Sequence, residues 1–281
     1  MTIIRVFPRR TSMTPNNAYA FIGDPPLWRP EADEVHVSCT FTWDIEEAER
    51  LQESWARYYP IVELGGPAIS GSKGEFVPGM YLQHGITITH RGCHRHCPWC
   101  LVPDYEGPIR VLPIRPGWIV QDNNLLATPQ EHQREVYDML RAQGRRVSFP
   151  GGLDARLLDD WVADQLKTLP IKEVFFAADS EGMTPIVRKA REKLGFLSRR
   201  QLRCYVLIAF RDEPIAEAKR RLEDVWAAGF LPFAQLYQPP DRYIDYPHQW
   251  KALARTWSRP AAMFAMHYET EIVEANDDRP I

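Results

Sequence analysis

The 281-residue chain has no apolar run long enough to cross a bilayer, no apolar leader in its opening "MTIIRVFPRRTSM", no internal repeat and no low-complexity segment. The first two absences exclude a helical membrane protein and lead us to expect a chain that works without membrane contact in a reducing cytosol. Five cysteines are an odd number and too few for a disulfide scaffold, which fits that compartment. Neither sign of charge is in excess: the net charge is -3, so no global field draws the chain to nucleic acid. With 44% hydrophobic and 25% charged residues, the composition is that of an ordinary globular protein able to bury its own core.

Proline and tryptophan are abundant, at 24 and nine residues. The prolines gather in 1–30, 98–116 and 232–260, which marks those stretches as loops or breaks. Between them one unit recurs from residue 85 onward: a short β-branched or apolar run, a loop, then an amphipathic helix. The runs are "GITIT" (85–89), "GWIVQ" (117–121), "RRVSF" (145–149), "EVFFAA" (173–178), "CYVLIAF" (204–210) and "LPFAQLY" (231–237). Strand starts spaced by roughly 30 residues predict βα units on a parallel sheet. Thr128, Pro129 and Glu131 predict a capped helix start, Thr184–Pro185 and Pro214 two further starts, and Gly144 and Gly229 predict stops. Right-handed crossovers would curl six such strands into a partial (β/α)6 barrel, with polar residues at the C-terminal strand ends. Residues 1–83 predict a small α/β cap, with strands in "EVHVSCTFTW" (34–43) and "PIVELGGPA" (60–68) around the helix "DIEEAERLQESWARYY" (44–59). Residues 84–258 would form the barrel and 259–281 a C-terminal extension.

The chemistry concentrates in "RGCHRHCPWCLVP", residues 91–103. Cys93, Cys97 and Cys100 offer three thiolates within eight positions, directly after the first strand of the series. Structural zinc wants four closed ligands, usually from two separated cysteine pairs. Here one cluster of ligands stands alone, with His94 or His96 as the available fourth donor of a Cys3His zinc site. A cubane iron–sulfur cluster normally takes four cysteines. Holding it with three leaves an open metal position, the mark of a reactive centre rather than a structural one.

Cys93-x3-Cys97-x-Trp99-Cys100 resembles the signature of the radical S-adenosylmethionine superfamily, including the aromatic residue before the last cysteine. The resemblance covers roughly residues 84–258. It implies a [4Fe–4S] cluster on Cys93, Cys97 and Cys100, whose free iron is chelated by S-adenosylmethionine. It further implies reductive cleavage to methionine and a 5′-deoxyadenosyl radical that abstracts hydrogen from a substrate, with reduced flavodoxin or ferredoxin as electron donor. "CPWCLVPDYEG", "QDNNLLATP" and "GGLDARLL" look like the branch that carries an N-terminal cobalamin-binding domain, and "VHVSCTFTW" with "IVELGGPA" resembles a trimmed remnant of that domain. The D-x-H-x-x-G pattern of its cobalt-ligating histidine is missing from 1–83, and His36, flanked by valines, reads as a satisfied core or edge histidine. Neither cobalamin binding nor methylthiotransfer is expected. Enzymes acting on nucleosides or nucleic-acid bases are common in the branch, which makes these the expected substrate class.

The same resemblance places cofactor contacts at the backbone of Trp99 and at Asp122, Asn123 and Asn124, whose acceptors suit an ammonium group; an Asx-rich turn is the plainer reading. It places others at Arg156, Ser180 and Ile208. Arg156 could equally be a surface charge, with Asp154 capping a helix, and Asp179 and Ser180 could be caps. Cys39 and Cys204 read as buried thiols. The basic run "RKAREKLGFLSRRQLR" (188–203) reads as a solvated face. A non-catalytic zinc or iron–sulfur protein, using the loop as a structural or sensing clip, is the alternative function.

Overall fold

The computed structural model describes residues 1–70 and 75–277; residues 278–281 of the expected C-terminal extension lie outside the described residues. The chain divides into two compact units, one of residues 1–151 with 238–244, the other of residues 152–237 with 245–281. The first boundary falls inside the span 84–258.

The first unit begins with a parallel sheet of β1 (Ile3–Phe7), β2 (Ala20–Ile22), β3 (Glu34–Ser38) and β4 (Val62–Gly65), in the order β2-β1-β3-β4. β1 and β2 lie in the proline-rich 1–30 stretch read as loop; "IIRVF" is short, and its four buried positions commit it to the core. Helix α1 (Ile45–Ala56) packs Ala48, Leu51 and Trp55 against Ile4, Val6, Val35 and Val37, all essentially inaccessible. Burying six or seven such side chains supplies on the order of 10 kcal/mol before entropy is charged. A short helix α2 (Pro67–Ser70) follows. His36 is satisfied, its Nε2 at 3.0 Å from Glu34 and its Nδ1 at 2.5 Å from the Tyr81 hydroxyl.

A second parallel set, β5 (Ile86–Thr87), β8 (Ile119–Val120) and β9 (Val147–Phe149), belongs to the same unit. Between its first two members run β6 (His90–Arg91), helix α3 (Val102–Glu106) and β7 (Arg110–Val111), with β6 and β7 antiparallel. Helix α4 (Gln130–Ala142) starts without the expected threonine cap. Pro129 occupies that position, the Thr128 hydroxyl donates to Leu125 O at 2.8 Å, and Gln133 Nε2 donates to Leu126 O and Thr128 O. Gln133 thus satisfies carbonyls of the buried turn and does not replace a cap, which would accept from the first helix N–H groups.

The second unit is built on β10 (Ile171–Ala177), β11 (Leu202–Ile208) and β12 (Leu231–Leu236), all parallel. Its helices are α5 (Asp160–Lys167), α6 (Thr184–Lys193), α7 (Ile215–Ala227), α8 (His248–Thr256) and α9 (Pro260–Asp277). Asp159 caps α5 by accepting from Val162 N at 2.8 Å, Pro185 sits in the first turn of α6, and Pro214 precedes α7. One face of the sheet buries Val174, Phe176, Leu202, Cys204, Val206, Ile208 and Ala234. The class is therefore mixed α/β with parallel sheets, and the sheets are open.

Candidate metal centre

The cysteine loop hangs from a closed neck. β6 and β7 pair at His90 with Val111 and at Arg91 with Arg110, Leu112 N donates to Thr89 O at 2.8 Å, and Cys93 N donates to Gly107 O at 3.3 Å. Gly92 makes this closure possible. Its φ is +83°, and a Cβ there would meet Pro108 O at 2.2 Å and Gly107 O at 2.6 Å. Only glycine combines that backbone conformation with so close an approach.

Beyond the neck the chain turns tightly: Cys100 N donates to Cys97 O at 3.0 Å, and Arg95 N to the Cys93 sulfur at 3.4 Å. Cys93, Cys97, Trp99 and Cys100 are half-buried, while His94 and His96 are exposed. None of the five cysteines is in a disulfide. Among the described residues, no three His, Cys, Asp or Glu side chains are grouped as a ready metal site. The donor set still fits an iron–sulfur cluster in kind, because three accessible thiols share one loop and none is spent in a disulfide. Cys39 and Cys204 are unsuited to that task, being fully buried in the core. Burial pushes the Cys39 thiol up to about 11, reinforced by Asp44, and raises Cys204 well above the ordinary range.

Asp122, Asn123 and Asn124 lie against the base of this loop. The Asp122 carboxylate accepts from Thr89 N and from the Thr89 hydroxyl, both at 2.6 Å, and from His90 N at 3.3 Å. Asn123 Oδ1 accepts from Gly92 N at 3.0 Å, and Asn124 N donates to His90 Nε2 at 3.0 Å. Since His90 accepts at Nε2, its own proton sits on Nδ1, 3.3 Å from Asp122 Oδ2; this is an electrostatic contact without hydrogen-bond alignment. The Thr89 hydroxyl gives its hydrogen to Asp122, so it accepts from His132 Nε2 at 3.2 Å. Burial lowers the proton affinity of His132, with Asp122 opposing that shift. His90 is fully inaccessible and Asp122 is 2% exposed. The carboxylate is thus occupied by the loop it supports. Gly151 closes the far side, where a Cβ would stand 2.2 Å from Asp122 O.

Asn124 Oδ1 is buried and without a hydrogen-bond partner among the described residues, as are Gln121 Oε1 and Gln133 Oε1 on the flanking segments. An orphaned buried carbonyl costs about 1–3 kcal/mol, and that of Asn124 is the one within the 122–124 turn at the base of the loop.

The remaining expected contacts belong to the second unit. Arg156 donates from Nε and Nη2 to Asp154 at 2.7 and 3.0 Å, and Asp154 also accepts from Arg156 N. The two therefore form a local pair at the start of a 3-10 turn, which Asp154 caps by accepting from Arg156 N. Ser180 is exposed and precedes a 3-10 turn without a side-chain cap. Asp179 Oδ1 accepts from Leu207 N at 2.8 Å, tying the end of β10 to β11. Ile208 is inaccessible, and its carbonyl accepts from Tyr237 N at 3.0 Å. Just beyond it Ala209 and Arg211 hold φ of 61° and 57°, a conformation unusual for residues other than glycine. Glu213 accepts from Ala209 N at 2.9 Å and pairs with Arg221, bracing that turn.

Sequence reasoning found no pattern in His90 and His132, which the structure joins through Thr89 and Asp122. The available signal was polarity at positions 89 and 90, where the apolar run GITI ends; His132 stands in the polar stretch QEHQRE and carries no such signal. No known family profile matches the chain, and no curated protein matches it. No helix among the described residues is long and apolar enough to cross a membrane.

Proposed function

We propose that the chain is a radical S-adenosylmethionine enzyme, with Cys93, Cys97 and Cys100 as the ligands of a [4Fe–4S] cluster. The observation that carries this reading is three half-buried thiols, none in a disulfide, in a C-x3-C-x2-C loop whose base is fixed by the 122–124 turn. When bound, the cluster with S-adenosylmethionine would supply a 5′-deoxyadenosyl radical for hydrogen abstraction. Asp122 fixes the base of the cysteine loop through Thr89 and His90, and Asn123 does so through Gly92. Asn124 Oδ1, buried and lacking a donor, would accept from the cofactor ammonium group. The backbone of Trp99, together with Arg156, Ser180 and Ile208, would complete the cofactor contacts that the family resemblance assigns. A partial (β/α)6 barrel, an electron supply from reduced flavodoxin or ferredoxin and a nucleoside or nucleic-acid base as substrate belong to the same proposal.

The test is oxygen-free reconstitution with iron and sulfide, followed by addition of S-adenosylmethionine and dithionite. The expected result is a brown protein that releases 5′-deoxyadenosine. A colourless protein that retains one zinc would overturn the reading in favour of a structural clip completed by His94 or His96.

A further inference from the structure

Parallel sheets are usually covered by apolar contacts on both faces. In the second unit one face of β10–β12 is uniformly apolar, whereas the other sets polar Arg203 and Gln235 among buried apolar residues such as Phe175 and Leu231. Strand alternation puts Phe175, Arg203, Tyr205, Leu207, Phe233 and Gln235 on the second face, with Phe175 aligned to Arg203 and Tyr205 aligned to Phe233. Phe175 and Tyr205 stack at 4.6 Å between centroids, and Tyr205 meets Phe233 edge-on at 5.6 Å. The Arg203 guanidinium lies over this group, 5.3 Å from the Phe175 ring centre and 5.6 Å from that of Phe233. Its Nε–H is buried and has no acceptor. Among the described residues no carboxylate lies within ion-pair distance of it, although the Glu173 charge, on the same face as Phe175, acts on it from farther away.

A half-buried guanidinium among rings is stabilised by their faces, yet its strongest partner is a planar oxyanion held through two parallel hydrogen bonds. Burial lowers the proton affinity of Arg203, with Glu173 and Tyr205 opposing that shift, and an incoming anion would offset the rest of the penalty. The ring surfaces of Tyr205 and Phe233 favour a flat ligand.

We propose that Arg203 binds the oxyanion, a phosphate or a carboxylate, of a ligand whose planar part lies against Tyr205 and Phe233. That this ligand is the substrate rests on the proposed function; the binding itself does not. The test is calorimetric titration of the full, metal-free chain with adenosine 5′-monophosphate, benzoate and adenosine, in wild type and in Arg203→Gln and Arg203→Lys. The expected result is that wild type binds at least one of the two anions more tightly than adenosine. Preference for the nucleotide or for benzoate tells phosphate from carboxylate. Arg203→Gln should weaken that anion by about tenfold, equivalent to about 1.4 kcal/mol. Arg203→Lys, which keeps the charge and loses the fork, should weaken it by a smaller factor. Wild type binding neither anion overturns the proposal, as does anion affinity no greater than that for adenosine. Unchanged affinity in a variant whose circular dichroism matches wild type overturns it too. Loss of the cluster reading would leave these affinities untouched, so the two proposals fail separately.

Discussion

Asp122 holds Thr89 twice, taking its backbone N–H and its hydroxyl at 2.6 Å each although the residues are 33 positions apart. Those two bonds join the turn after β8 to the root of the cysteine loop. Asp122→Asn puts an amide N–H₂ where donors already point. We expect a loss of about 3 kcal/mol in unfolding free energy, from stranded buried donors. Denaturant unfolding measures it, and faster amide exchange at Thr89 and His90 would locate the damage.

Thiol chemistry should sort the cysteines by environment. In native apo protein at about pH 8, iodoacetamide should label Cys93, Cys97 and Cys100 and spare Cys39 and Cys204, whose burial suppresses the thiolate. Peptide mass spectrometry reads the pattern; early labelling of Cys204 would contradict the core described above.

Iron loading should follow the same division. Alanine at position 93, 97 or 100 should abolish bound iron and sulfide after reconstitution, while Cys39→Ala and Cys204→Ala retain wild-type iron in the fraction that folds. Metal analysis of gel-filtered protein decides between them. Each core variant should cost about 1–2 kcal/mol for the cavity it leaves.

Acidification should act through His132. Burial keeps this imidazole neutral in the folded state, so the unfolded chain binds a proton that the native chain resists. The stability contribution is fully present above about pH 6.5 and declines as pH falls below it. Comparing denaturation midpoints of wild type and His132→Asn across that range should show a flatter acid limb in the variant.

Much of this architecture is legible in the sequence because its determinants are local. The cysteines lie within one loop, and alternating apolar runs followed by amphipathic stretches correspond to β8–β12 and α4–α7 within a few residues. Long-range polar pairing is not local: the link between Thr89 and His132 spans 43 positions and has no spacing rule to betray it. β1 was hidden by the neighbouring Pro8, although only its last residue adjoins the proline. Arg203 was absorbed into a basic run that reads as solvated. The alternation Arg203, Tyr205, Leu207 on a strand places it among rings, which charge counting along the chain does not register.

The pinched stem at Gly92, Gly107 and the β6–β7 pair has a practical corollary at the bench. Residues 93–106 are bounded by that stem, so filling the loop with metal should leave the hydrophobic interior as it is. Material prepared in air should therefore remain intact, survive storage and be charged afterwards in a glovebox.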